Sequence, residues 1–500
     1  MDKTNKKFFV KEVALWSKAK ILKHDAQGFS NFLTDTRQYK QDSAFVSLQG
    51  KVDANAFLKI AYEKGVRVFF IDQKISKKFL TEIMSFNDVS VLQVPDTLKA
   101  LQLMAVQWRK SLKGKLVAIS GSNGKTSTKN FTYQLLHKYK KTYKSPLSFN
   151  NNLGVSLSLL EAEPDDEVIL LEMGMSHKGE LKLLTQMVKP DIVLVTQVNA
   201  SHIGHFNSLQ EVADAKQELY QFSSDTAVGI FNENNDFTVK MKQKYLAGGD
   251  KHSFSFGSEK ILSHKKSLHQ CVVTQFIEES LFGLRFTLSY FNNGKKQYQN
   301  QISVPLLGVH NMDNIAAAVT INLALGVPWD NIIKALNTLQ AGWGRMQLLH
   351  HCTGAAIIFD AYNANPASFT SALNSLEKFS CAGKKIAVIG AMGELGKWSD
   401  EEHYRLALRV GALFDTIGFV GNEDSFLSGL EKSLFTGNWV CSPSVNTKEF
   451  QDFLNTINLQ IKKEDIIFIK ASRVHQLEKV LDNFKIQKTQ KTKTKIQTKK

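Results

Sequence analysis

The chain contains no long apolar run. Nothing in it approaches the roughly 20 residues needed to cross a bilayer, so no transmembrane segment is expected. Its opening, MDKTNKKFFVKEVALW, carries charge without an apolar core or a small-residue cleavage site, so it does not read as a secretory signal. Cysteine is scarce: Cys271, Cys352, Cys381 and Cys441 are scattered without a CxxC pair. That pattern excludes a disulfide framework and paired-cysteine zinc, and suits a reducing cytoplasm. No internal repeat is visible.

Positive charge is in excess, with 63 Lys and Arg against 47 Asp and Glu, a formal net charge of +16. Seven of those charges lie in the last 16 residues, KIQKTQKTKTKIQTKK. This alternation of Lys, Thr and Gln has almost nothing to bury and reads as a disordered, solvated tail over 484–500. The rest of the chain is moderately basic, as a handler of anionic nucleotides can be, and no specific nucleic-acid partner is expected. At 500 residues, with 43% hydrophobic and 22% charged, the chain is a globular protein too long for one core. Three domains are expected, over 1–112, 113–342 and 343–483.

The stretch SGSNGKTS (120–127) lies between the apolar run Lys115–Ile119 and a stretch whose composition predicts a helix from Thr128 to about Tyr139. A glycine turn joining strand to helix brings backbone N–H groups close to an anion, and the helix start adds the positive end of its dipole. Gly121, Ser122, Asn123, Gly124, Lys125, Thr126 and Ser127 therefore form a candidate phosphate cradle. In it, Lys125 would neutralise phosphate oxygens and the Thr126 hydroxyl would serve Mg2+. The long P-loop form needs a glycine where Ile119 stands, so the match is to the shorter G-[ST]-x-G-K-T-[ST] pattern.

From 115 to about 340, strands and helices alternate, which argues for a mostly parallel sheet covered by helices. Val168–Leu171 and Ile192–Val195 are apolar throughout, as buried central strands are. Ligands of such sheets gather at the carboxyl ends of the strands. Glu172 follows its strand at once and can reach a metal beside the phosphate loop, while His202 and His205 occupy the loop after the next strand. Gln340–Gly344 reads as a hinge into a third α/β unit.

Lys216 is out of place. Ser208-Leu-Gln-Glu211 is a capping-box signature, and the helix it opens has an apolar stripe of Leu209, Val212, Ala213, Leu219 and Tyr220 that also contains position 216. Two readings are even on pattern alone. The lysine stem packs while its ammonium reaches water, or a partly desolvated amine with a lowered pKa adds carbon dioxide and becomes a metal-binding carbamate.

These residues, with NNNLG (150–154), EMG (172–174), SHI (201–203), AKQE (215–218), HNMDN (310–314), GRM (344–346), DAYNANP (360–366), MGELG (392–396) and KASR (470–473), resemble the ATP-dependent Mur ligases, in the family's order and over nearly the whole chain. The resemblance implies an α/β fold of three domains, with a central P-loop sheet and a Rossmann-like C-terminal domain. YNANP implies the branch that joins D-alanyl-D-alanine to UDP-N-acetylmuramoyl-tripeptide through an acyl phosphate, in cytoplasmic peptidoglycan synthesis. It further implies ATP, two Mg2+ ions and a monomer. Carried over, Lys125, Lys216 and His202 are catalytic, and Thr126, Glu172, His202 and carbamylated Lys216 serve the metals. Asn311 meets adenine, Arg345 the ATP phosphates and Asp360 the ribose. Asp35, Thr36 and Arg37 lie near the uridine-diphosphate site, and Asn150, Asn151, Asn363 and Asn365 meet the substrates.

The chain also departs from the family pattern. Ser156 stands where proline is usual, Phe359 replaces an acid, and Ala391 and Gly393 replace Asp and a larger residue. The first domain matches least. Gly390, Gly393 and Gly396 have GxxGxxG spacing rather than the GxGxxG of a dinucleotide site. Two other readings stand beside this one: a ligase on the same scaffold adding a single amino acid, and a noncatalytic nucleotide-binding scaffold.

Overall fold

The computed structural model describes residues 6–50, 53–199, 206–422 and 424–487. Three large sheets follow one another along the described residues, beside a two-stranded pairing of Phe8–Phe9 with Gly28–Phe29. The first has five strands in the spatial order Lys20–His24, Ser90–Val94, Val68–Asp72, Ser43–Val46 and Asn31–Leu33, all parallel except the first pair.

The second sheet has nine strands. Lys115–Ser120 lies between Val168–Glu172 and Ile192–Val195, parallel to both. Both flanking strands are buried at every position, as their unbroken apolar sequence requires. Beyond Val228–Asn232 and Ser253–Ser258 the sheet ends in three long strands, Cys271–Ser280, Gly283–Asn292 and Lys295–Val304, whose last two pairings are antiparallel. Helices Lys125–Leu136 and Asn311–Ala324 cover one face through Phe131, Leu135, Ile315 and Val319. The other face packs Leu159, Leu181 and Leu219 into a core that continues into the first unit through Phe8, Phe29 and Trp108. The Trp108 indole N–H donates to the Ala162 carbonyl at 3.0 Å, so this junction satisfies its own polar group.

The third sheet has six strands, five of them parallel, with Ile466–Lys470 inserted between Ala356–Phe359 and Lys385–Gly390. It is the doubly wound, Rossmann-like arrangement. No helix among the described residues is long and apolar enough to cross a membrane.

Two local features differ from the sequence reading. The helix after the phosphate turn starts at Lys125 and ends at Leu136, three residues earlier at each end, because Gly124 at φ +85° turns the chain directly into it. The chain also keeps its fold past 484: Phe484 and Ile486 pack into the C-terminal core, and Ile486 bridges His351. Residues 488–500 of the expected tail lie outside the described residues.

Candidate active site

The phosphate turn is shaped by its two glycines. At Gly121, φ is +140° and a Cβ would sit 1.9 Å from the Thr196 hydroxyl, so only glycine fits between the two strand ends. That hydroxyl donates to the Asn123 carbonyl at 2.5 Å and pins the turn to the neighbouring strand. Lys125 donates to the carbonyls of Gly121 (2.7 Å) and Ser122 (3.1 Å), folded over the loop. Burial lowers its pKa, Glu172 opposes that shift and Arg345 adds to it.

Around this turn lies a cleft of about 340 Å³. The central unit lines it with residues that include Ser122, Asn123, Gly124, Lys125, Thr126, Ser127, Asn150, Glu172 and Asn311. The C-terminal unit adds Arg345, Asp360, Asn363, Asn365 and Lys470, so the sequence-predicted nucleotide residues converge across the hinge.

Glu172 is buried at its strand end, where the Thr126 hydroxyl donates to one carboxylate oxygen at 2.8 Å and Asn150 to the other at 2.9 Å. It is no surface acid. Thr126 and Glu172 offer the hard oxygen ligands that Mg2+ takes, beside the phosphate turn, and the donor set fits that ion. His202 and His205 lie outside the described residues. Among the described residues, no three His, Cys, Asp or Glu side chains gather into a metal cluster.

Lys216 is 2% exposed in helix Leu209–Gln221, which Ser208 caps by accepting from the Glu211 N–H. That burial leaves the ammonium little access to water and favours the desolvated reading over snorkelling. Among the described residues its amine has no acceptor. Burial lowers its pKa well below the ordinary value, and the charge of Lys125 lowers it further. Lys216 does not line the cleft around the glycine turn.

On the C-terminal side, the Lys470 ammonium pairs with Asp360 at 2.6 Å and donates to the Asn363 carbonyl at 3.1 Å. Asp360 also accepts the Met346 N–H at 3.0 Å, which fixes the segment carrying Arg345. The Arg345 guanidinium lies over the Tyr362 ring, 4.3 Å from its centre. Tyr362 in turn donates to Ser148 at 2.7 Å, and Ser148 lies 3.1 Å from the Thr126 hydroxyl, a polar chain from one unit to the other. Asn365 and Asn123 exchange amide contacts at 2.8 and 3.3 Å. Asn365 also caps helix Pro366–Lys378 in a capping box. Asn311 donates to the Leu307 carbonyl and accepts from Asn314, so its amide is fixed beside the cleft.

A second cleft, of about 250 Å³, lies between the first and central units, with Lys6, Asp35, Lys40 and Asn151 on its walls. Ser148 lines both clefts, so the two adjoin. Asn151 caps helix Asn152–Glu161 by accepting the Gly154 N–H at 2.8 Å. The Arg37 guanidinium grips Asp35 at 2.8–3.1 Å and holds its carboxyl below the usual range; neither Thr36 nor Arg37 lines the cleft.

Sequence reasoning missed Lys129, Ser148 and Tyr362, and assigned no role to Lys470. Lys129 carried a signal. It lies one helical turn after Lys125 and is buried beside Glu172, an oddity of the same kind as Lys216.

Comparison with known proteins gives the same picture. Residues 119–322 match the family model of the Mur ligase middle domain, and 344–473 that of the Mur ligase, glutamate ligase domain. The chain is 28% identical over 450 residues to UDP-N-acetylmuramoyl-tripeptide–D-alanyl-D-alanine ligase of Bacillus subtilis, covering 90% of this chain and 91% of that protein. It is 26% identical to the enzyme of the same name from Escherichia coli, over 90% and 92% of the two chains. A crystal structure of MurF from Acinetobacter baumannii superposes with a TM-score of 0.80 at 24% identity, over 96% of this chain and 99% of that one. MurF ligase from Thermotoga maritima, solved in complex with ADP, gives 0.69 at 23% identity over 91% and 97%.

Proposed function

The chain belongs to the Mur ligase family, and from this premise we propose that it is the ATP-dependent ligase joining D-alanyl-D-alanine to UDP-N-acetylmuramoyl-tripeptide. One observation carries the reading beyond the family. The phosphate turn and the C-terminal Arg345, Asp360 and Lys470 line one cleft, which meets a second cleft at Ser148. One cleft can hold the nucleotide while the other presents the peptide's carboxylate to it.

A carboxylate and a triphosphate repel each other, so their meeting needs concentrated positive charge. Lys125, Arg345 and Lys470 supply it from both sides of the cleft. The terminal carboxylate oxygen of the tripeptide attacks the γ-phosphorus, and the bond to the ADP oxygen breaks. The dipeptide's amine nitrogen then attacks the acyl carbon, phosphate departs with the bonding pair, and the amine loses a proton. Arg345 meets ATP phosphate, Asp360 the ribose and Asn311 the adenine. Asn150 and Asn363 meet substrate. Asp35 and Asn151 serve the UDP-linked substrate from the second cleft. Thr126 and Glu172 would hold Mg2+, with His202 completing the set; bound there, the ion neutralises developing phosphate charge.

Lys216 is the carbamate site. Its buried, neutral-leaning amine adds to carbon dioxide, forms an N–C bond and releases a proton, leaving an anion for a second metal. Lys216→Ala is expected to remove most turnover while nucleotide binding persists. The enzyme works in the cytoplasm as a monomer, as the family resemblance implies.

The test is phosphate release by purified protein with ATP, Mg2+ and the UDP-linked tripeptide. D-Alanyl-D-alanine should support turnover and single amino acids should not. Turnover with a single amino acid alone would replace this reading with that of a sister ligase.

A further inference from the structure

The segment between the Thr142–Lys144 strand and the Asn152–Glu161 helix carries two residues that line the cleft around the glycine turn, Ser148 and Asn150. It is held in an unusual conformation. Leu147 has φ +43°, a left-handed value that non-glycine residues seldom take, and its side chain is 70% exposed. Packing of the leucine therefore does not fix the turn. A buried cation from the adjacent helix does. The Lys129 ammonium, 1% exposed, donates to the Ser145 carbonyl at 2.8 Å and to the Leu147 carbonyl at 2.5 Å. It also reaches the Ser145 hydroxyl at 3.2 Å and stands 3.6 Å from the Glu172 carboxylate.

We propose that Lys129 is a positioning residue that clamps segment 145–150 in a strained turn, so that Ser148 meets Tyr362 of the C-terminal unit and Asn150 meets Glu172. The ammonium spends its three donors on the Ser145 carbonyl, the Ser145 hydroxyl and the Leu147 carbonyl and pairs with the Glu172 carboxylate, and an apolar side chain of the same length supplies none of those contacts. The strain lies at Leu147, and the clamp holds that residue's own carbonyl and the carbonyl of Ser145 two residues earlier, as expected where a backbone outlier serves a site. Lys129 does not line either cleft, so it acts through Ser148, Asn150 and Glu172 rather than on substrate. The inference rests on the ligase reading for its kinetic consequence, but not for its structural one.

The experiment uses the full chain with Lys129→Met, Lys129→Gln, Leu147→Gly and the Lys129→Met/Leu147→Gly pair. Turnover is measured with ATP, Mg2+ and both peptides, and amide hydrogen exchange of the 145–150 segment is measured in the free protein. Lys129→Met is expected to lower kcat at least 30-fold with KM for the dipeptide within threefold. It should also speed exchange in 145–150 while leaving the 192–195 strand unchanged. Leu147→Gly in the same chain should recover at least fivefold, because glycine takes this φ without cost. Lys129→Gln, which keeps a donor, should fall between. Folded Lys129→Met with wild-type exchange in 145–150, or with kcat within threefold of wild type, overturns the proposal. So does failure of both Lys129 variants to fold, which would make the residue part of the core's stability. If the wild type itself does not turn over, the ligase reading falls, and the exchange comparison alone decides the role of Lys129.

Discussion

Gly121→Ala isolates the phosphate turn from everything else the account invokes. The new methyl would lie 1.9 Å from the Thr196 hydroxyl and 3.0 Å from the Thr196 backbone nitrogen. That nitrogen is tied to the Ser120 carbonyl at 2.9 Å, so the backbone cannot retreat. The side chain can rotate only by giving up its bond to the Asn123 carbonyl, a loss of about 0.5–1.5 kcal/mol. The φ of +140° is itself one that an L-side chain rarely adopts, at roughly 1–3 kcal/mol. Together these disfavour the binding-competent turn by about 2–4 kcal/mol, which weakens nucleotide affinity on the order of 100-fold. The assay is an equilibrium titration with a fluorescent ATP analogue, with a melting curve to establish that the variant is folded. Gly124→Ala is the internal comparison. Its φ of +85° is strained too, but its methyl meets the Asn314 side-chain oxygen and no backbone atom, so its loss should be smaller. Thr196→Ala added to Gly121→Ala should relieve the clash with the hydroxyl and leave the φ cost. Binding by Gly121→Ala within threefold of wild type would refute the assignment of this turn as the phosphate cradle.

Other perturbations test separate parts of the structure. Lys470→Met leaves Asp360 without its 2.6 Å partner, and the cost of about 3–5 kcal/mol for a broken buried pair should appear as a clear drop in melting temperature. Burial holds the Lys6 amine at about 8, below its unfolded value of 10.5. Between those pH values the unfolded chain binds more protons, so this group makes stability rise with pH. Melting curves from pH 8 to 10 should show that rise reduced in Lys6→Met; an identical slope would contradict it. Deleting 488–500 should leave kcat within twofold, whereas a cut at 485 removes the Lys485 carbonyl from the Cys352 N–H (2.6 Å) and the Gln487 N–H from the His350 carbonyl (2.8 Å), and should lower the melting temperature.

What could be read from the sequence were features contiguous in the chain. The glycines and Lys-Thr of the phosphate turn lie within seven residues, and the all-apolar runs around 168–171 and 192–195 announced central strands. Glu172 was legible because an acid that ends such a strand has one place to go. Lys216 was legible as an anomaly, but only packing could choose between water and burial. Other features depended on distance in the chain. Tyr362 meets Ser148 across 214 positions, and no local pattern pairs them. Lys129 occupies a helix whose polar residues alternate around the axis, so its buried side was not visible until Glu172 and the 145–147 carbonyls were placed beside it. Asn151 and Asn365 show the converse. Each is the N-cap of a helix, a role their type and position also fit, and their amides are partly committed to it.

The central claim is that this chain transfers the γ-phosphoryl group of ATP to a carboxylate before any amide bond forms. The most direct measurement supplies UDP-linked tripeptide with both terminal carboxylate oxygens labelled with 18O, together with ATP, Mg2+ and D-alanyl-D-alanine, and weighs the phosphate released. One labelled oxygen is expected in each phosphate, carried over when the acyl–oxygen bond breaks. Unlabelled phosphate accompanying amide formation would contradict it.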